Sequence, residues 1–171
     1  MRRVLVVGCS GAGKSRLSSA LARGLGLPVV HLDAEFWRPG WVETPDDAWE
    51  RRVAELVARD AWVSDGNFAR TLPMRAARAD TVVHLDLPRR TCLRGVLGRW
   101  WRDRGRVRAD MAPGCPERFD LAFLRWVWGF RRKVRPDVLR KLAAFEAAGG
   151  RVVTLRSRAE ADAWLRSVVP S

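Results

Sequence analysis

The chain has no tyrosine, only two histidines, and only three lysines (Lys14, Lys133 and Lys141) among 32 basic residues. Arginine carries positive charge almost throughout, so the position of each lysine is informative. Cysteine is equally scarce. Cys9, Cys92 and Cys115 are odd in number and include no Cys-x-x-Cys pair or zinc-type Cys/His spacing. That predicts reduced thiols rather than a disulfide framework. No apolar run approaches the ~20 residues that a membrane-spanning helix needs. An apolar strand begins almost at Met1, leaving no room for a signal peptide, so a cytoplasmic protein is expected. Two nucleotide-protein signatures are also missing. Asn-Lys-x-Asp and Asp-x-x-Gly, the guanine and switch motifs of GTPases, do not occur. No apolar strand ends in Asp-Glu, so no residue is placed to activate water as in motor-type ATPases.

What is present suits a globular protein: 171 residues, 47% hydrophobic and 30% charged, expected to form one domain over 1–171. The formal net charge of +13 raises nucleic acid as a partner. The arginines are spread along the chain rather than gathered in a tail, and a kinase with two anionic substrates also needs many of them. Nucleic acid is therefore the less favoured partner class.

The most specific string is Gly8-Cys9-Ser10-Gly11-Ala12-Gly13-Lys14-Ser15, directly after Val4-Leu5-Val6-Val7. It fits the phosphate-binding loop, Gly, four residues, Gly, Lys, then Ser or Thr. Glycines let backbone N–H groups turn around a triphosphate, and the following helix points its positive end at the same anion. Lys14 is expected on the β- and γ-phosphates and Ser15 on Mg²⁺, with Cys9 as a spacer. The lysine sits where a compact point charge suits phosphate better than a planar fork.

Around this loop the pattern alternates strand and helix. Arg3–Val7 reads as a central strand, followed by a helix over 14–25 with Leu17, Leu21 and Leu25 on one face. Further strands are predicted at 29–32, 61–64, 81–85 and 151–155. Thr44-Pro45-Asp46-Asp47 predicts a helix capped by Thr44, burying Trp49, Val53, Leu56 and Val57. A helix from about Arg89 is expected to bury Leu93, Val96, Leu97 and Trp100. Residues 101–116 read as a mobile, arginine-rich excursion. Pro116 is expected to open a helix to about Arg131 whose apolar residues nearly encircle it, so that it is buried on two sides or closes over something. Pro136 starts the next helix, and Ser157–Glu160 is a capping box for the last. The class is α/β, a parallel sheet with helices on both faces, with ligands at the carboxyl ends of the strands. Asp33, Asp65 and Asp86 each follow a strand there and suit Mg²⁺ or proton acceptance. His31 and His84 read as core imidazoles.

Taken together, Gly8 to Ser15, His31-Leu32-Asp33-Ala34-Glu35-Phe36-Trp37-Arg38-Pro39-Gly40-Trp41, Asp65-Gly66-Asn67-Phe68, Ala79-Asp80-Thr81, His84 to Arg89, Asp110-Met111-Ala112, Gly114-Cys115-Pro116-Glu117 and Leu155 to Arg158 resemble the bacterial DNA topology modulation protein group. These are small, adenylate-kinase-related P-loop proteins, and the resemblance runs nearly the whole chain. It implies a three-layer P-loop NTPase fold with a five-stranded parallel sheet of order 2-3-1-4-5, an acceptor region after the second strand and an arginine-rich lid over about 101–135. It implies ATP and Mg²⁺ as cofactors, with Ser15 and Asp65 on the metal. Gly8 to Ser15, Leu17 and Arg156 would hold the nucleotide. Lys14, Asp33 (the base), Arg99, Arg132 and Arg135, with lid arginines at 104–108, would serve transfer, and Asp33, Trp37, Asn67, Arg70 and Arg75 the acceptor. The sequence departs from adenylate kinases at Gly95, where an adenine-side arginine would stand, with Arg94 one step away. Asn67-Phe68 replaces Phe-Pro as well. The expected activity is ATP-dependent phosphoryl transfer to a small molecule by a monomer or homodimer. The alternatives are an ATP-binding nucleic-acid-associated protein without turnover and an ATP-gated interaction module docking through 119–130.

Overall fold

Val4 to Val7 is fully buried because a central parallel strand is covered on both faces. In the computed structural model, which describes residues 1–169, this strand lies in β1 (Arg3–Gly8) and leads into α1 (Lys14–Leu25). Then come β2 (Val29–His31), a short α2 (Leu32–Phe36), a two-stranded hairpin of β3 (Trp37–Arg38) and β4 (Val42–Glu43), and α3 (Asp46–Ala58). β5 (Trp62–Asp65), α4 (Leu72–Arg78), β6 (Thr81–Leu85) and α5 (Arg89–Asp103) follow. The chain continues through α6 (Leu121–Lys133), α7 (Arg135–Ala147), β7 (Arg151–Leu155) and α8 (Arg158–Val168). The last two residues of the expected 1–171 span lie outside the described residues.

The main sheet runs β2-β5-β1-β6-β7 with every pairing parallel, which is the expected 2-3-1-4-5 order. Val4 and Val6 point to one layer, with Leu17 and Leu21 of α1, Cys92 and Val96 of α5, Val127 and Phe130 of α6 and Ala161 of α8. Leu5 and Val7 point to the other, with Trp49 and Val53 of α3, Leu72 and Ala76 of α4, and Val138 and Leu142 of α7. The two-residue alternation of the strand sorts the helices into three layers.

Several local expectations change. The second strand stops at His31, and residue 33 lies within α2. Pro45, not Thr44, occupies the N-cap of α3, and the Thr44 hydroxyl donates to the Phe36 carbonyl at 2.5 Å instead. Leu97 stays 43% exposed on α5. Pro116 opens no helix: α6 begins at Leu121, where Asp120 accepts from the Phe123 N–H. The 101–116 stretch is docked rather than detached. Met111, Ala112 and Cys115 are buried against Trp37 and Trp41 of the hairpin. The Gly40 N–H donates to the Gly114 carbonyl at 2.9 Å, and the Trp41 indole to the Pro116 carbonyl at 3.2 Å.

Gly95 has a tertiary role. A Cβ there would fall 2.1 Å from the Gly11 carbonyl oxygen, and a Cβ on Gly11 would fall 2.1 Å from that of Cys92. Backbone meets backbone, so no side chain fits. Gly95→Ala should cost about 1–3 kcal/mol through overpacking. Gly98→Ala, with nothing within 4 Å of its Cβ, should be neutral or stabilising through helix propensity. Thermal midpoints by circular dichroism separate the two, and equal midpoints would show that α5 does not press on the loop.

Candidate active site

The loop between β1 and α1 turns through positive φ at Gly8, Gly11 and Gly13. Gly13 is the N-cap of α1 and brings no side chain to its free N–H groups, which leaves them for an anion. Asn67, just past β5, accepts the Gly8 N–H through Oδ1 at 3.0 Å and fixes the loop to the neighbouring strand end. Lys14 Nζ donates to the Cys9 carbonyl at 3.3 Å.

Two cavities meet at this loop. One, of about 450 Å³, is lined by Ser10 to Leu17, Asp65, Arg94, Gly98 and Arg102, together with Asp110 and Arg158. The other, of about 680 Å³, is lined by Trp37, Trp41, Glu43, Asn67, Phe68, Arg118, Phe123 and Trp126, among others. They share Ser10, Lys14, Asp33, Arg99 and Arg108.

The carboxylates of the first cavity come from different elements. Asp65 ends β5 beside its register partner His31, whose Nδ1 lies 3.1 and 3.0 Å from the two carboxylate oxygens. Burial works against a charged His31, but Asp65, with Asp110 and Asp33 behind it, outweighs burial and raises the imidazole above its ordinary value. The enclosing protein pushes Asp33 up, with Asp65 and Asp110 adding like charge against Lys14 and Arg108, although the residue is exposed to the cleft. Asp110 goes the other way. Burial raises it, but Arg108, bonding both its oxygens at 2.9 Å, and the Ser15 hydroxyl hold it below the usual carboxylate range.

The third carboxylate at the loop is therefore Asp110 from the segment after α5. Asp86 is instead gripped by Arg135, with Nε and Nη2 at 2.7 and 2.6 Å. Among the described residues no three His, Cys, Asp or Glu side chains gather as a metal cage. Mg²⁺ takes one or two protein carboxylates plus phosphate and water, so the hard oxygens of Ser15 and Asp65 in the first cavity fit it.

Other expected residues are placed differently. Arg135 is committed to Asp86, and Arg132 is exposed and lines neither cavity. Arg156 is exposed outside the first cavity, where Arg158 stands instead. Arg70 lies on the surface against Glu50 and Asp46. Arg75 is fully buried and braces the turn after β5, donating to the carbonyls of Gly66, Asn67 and Phe68. A long side chain reads as free in a sequence, and only its partners reveal otherwise. Leu17 lines the first cavity, and Trp37 and Asn67 line the second. Asp110, Glu117 and Trp41 stood in the motif strings without a site role, and Trp126 was read only as part of an apolar helix. Glu117, 7% exposed, receives the Arg99 Nε at 3.1 Å and lies 2.9 Å from the Arg108 Nε. Its sequence signals were its place in the Gly114-Cys115-Pro116-Glu117 string and a glutamate inside an arginine-rich loop.

No family model matches the chain. A shikimate kinase of Cereibacter sphaeroides is 42% identical over 59 residues, which is 34% of this chain and 25% of that protein. The chain thus matches about a quarter of that curated relative's length. The fold is that of solved small-molecule kinases. A shikimate kinase from Acinetobacter baumannii, in complex with shikimate, superimposes with a TM-score of 0.60 at 19% identity over 98% of this chain and 90% of the other. A sugar kinase from Janibacter sp. HTCC2649 gives 0.54 at 20% identity, over 98% and 91%. A gluconokinase from Sinorhizobium meliloti 1021 gives 0.51 at 18%, over 98% and 93%. Among the described residues no helix is long and apolar enough to cross a membrane.

Two outcomes test this geometry. Because His31 is raised in the fold, its pairing with Asp65 stabilises fully below about pH 6.5 and fades as pH rises through the higher folded value. The urea stability gap between the native chain and His31→Gln should shrink as pH rises above about 6.5, and a constant gap would mean that the fold does not raise the imidazole. Arg75→Met should lower stability by about 3 kcal/mol, since three carbonyls lose a charged donor. An unchanged unfolding midpoint would rule out the bracing role.

Proposed function

We propose that the protein is a cytoplasmic, Mg²⁺-dependent kinase that transfers the γ-phosphoryl group of ATP to a hydroxyl of a small molecule. The observation that carries this is the pair of cavities sharing Ser10, Lys14, Asp33, Arg99 and Arg108. A hydrolase needs one cavity and a water, whereas a transferase needs a donor and an acceptor chamber that meet where the phosphoryl group crosses. The matched shikimate kinase segment and the kinase folds support the same reading. Membership of the DNA topology modulation group belongs to this proposal too and rests on the motif strings alone.

In this reading the loop amides and Lys14 hold the triphosphate, Leu17 and Arg158 line its chamber, and Arg94 takes the side where Gly95 bars a longer residue. Ser15 and Asp65 would hold Mg²⁺, which when bound neutralises charge on the phosphate oxygens. Arg99 and Arg108 face the transferring group from both chambers. Asp33 accepts the acceptor hydroxyl's proton on a carboxylate oxygen as the acceptor oxygen bonds the γ-phosphorus and the bond from that phosphorus to the β–γ bridging oxygen breaks, the electron pair leaving with ADP. Its environment suits that role: Asp33 is pushed up while nearby Asp110 is held down, so one carboxylate can take a proton and the other stays charged.

Screening nucleosides, nucleotides, sugars and aminoglycosides for ATP-dependent phosphorylation will identify the acceptor. With it in hand, Lys14→Ala should lose most transfer and ATP binding. Asp33→Asn should lose about 10²–10⁴ in kcat at unchanged ATP affinity. The native rate should fall on acidification through a pKa above the ordinary carboxylate value, because protonated Asp33 cannot act as base. Full turnover by Asp33→Asn would sink the assignment.

A further inference from the structure

We propose that the second cavity is built for an uncharged alcohol carrying a planar ring, of nucleoside type, and discriminates against anionic acceptors. The inference rests on the kinase reading above and narrows its acceptor.

Its first support is shape. Five aromatic side chains line the cavity from three separate places: Trp37 and Trp41 on the hairpin, Phe68 after β5, and Phe123 and Trp126 on α6. Flat aromatic faces gathered around one space favour a flat ligand. The backbone adds a second, independent sign. Trp41, at φ 63°, and Phe68, at φ 29°, are the non-glycine residues with positive φ among the described residues, and both line this cavity. Bulky side chains avoid that conformation unless the surroundings impose it, and such strain concentrates at ligand sites. Both are held: the Trp41 indole by the Pro116 carbonyl, and the Phe68 carbonyl by the Arg75 guanidinium at 3.1 Å.

The third support is charge. An anionic acceptor needs cations converging away from the phosphate wall. Arg70 and Arg75 lie outside the cavity and are committed elsewhere. Lys14, Arg99 and Arg108 belong to the wall shared with the donor chamber, and Glu117 lies against both arginines. Among the described residues a single cation stands beyond that wall, Arg118, whose guanidinium lies over the Trp41 ring at 5.2 Å. Opposing it are two carboxylates, Asp120, which caps α6, and Glu43, which has no ion-pair partner among the described residues. A carboxylate or phosphate entering there would meet more negative charge than positive. A neutral ring bearing a hydroxyl would stack and present that hydroxyl to Asp33.

Calorimetric titration tests this with the donor chamber saturated by a non-hydrolysable ATP analogue and Mg²⁺. The probes are uridine, thymidine and guanosine, their 5′-monophosphates, and shikimate. At least one nucleoside should bind about tenfold more tightly than its monophosphate and than shikimate. Trp126→Leu, folded by circular dichroism, should weaken that nucleoside about tenfold. Glu43→Lys should move the preference toward the monophosphate. Tighter binding of the monophosphates or shikimate, no binding of any nucleoside, or indifference to both substitutions would overturn the proposal. Transfer from ATP is scored separately. Phosphorylation of an anionic acceptor keeps the kinase reading and ends this one, whereas nucleoside binding without transfer does the reverse.

Discussion

The cleft depends on one close contact, the backbone of Gly11 in the phosphate loop pressed against Cys92 and Gly95 of α5. Because no Cβ intervenes, the helix axis sits as near the loop as two backbones allow. Four residues on, Arg99 emerges on the same helix face and reaches both chambers. The end of α5 then launches the docked loop, which returns Arg108 and Asp110 to the phosphate loop. A side chain at either glycine would push α5 outward and carry all three groups with it.

The charges in the cleft are arranged against their own desolvation. Glu117 is nearly buried between two guanidinium groups, an arrangement that contributes little net stability but holds both arginines in one geometry. Asp65 is similarly oriented by His31, its neighbour across two parallel strands. With these pairs made, the loop region holds carboxylates of opposite tendency, Asp33 raised and Asp110 lowered, within one cavity. The docked loop matters for the same reason. Met111, Ala112 and Cys115 buried against Trp37 and Trp41 tie the residues of one chamber to those of the other.

Local grammar was legible. The phosphate loop, α1, β6, β7 and the Ser157 capping box all stand where the pattern put them, because glycine spacing, apolar period and capping chemistry act over a few residues. The α2 turn and the β3–β4 hairpin were not legible. Five- and two-residue elements carry too little periodicity to announce themselves. The docked loop was also misread: its glycines, prolines and arginines look like a solvated excursion, while the apolar residues that bury it stand seventy or more positions earlier, in the hairpin.

By itself the sequence determined the parallel α/β frame, the phosphate loop at its first strand end, and Asp33 and Asp65 beside it, all consequences of short-range order and strand topology. Only the tertiary structure decided which charged side chains serve the cleft. Asp86 went to Arg135 across 49 positions, Arg70 to Glu50 and Asp46, and Arg75 into the core, while Asp110, Arg108 and Glu117 came in from the docked loop. A guanidinium takes its role from the carboxylate or carbonyl its fork can reach, and that distance is set by packing between elements far apart in the chain.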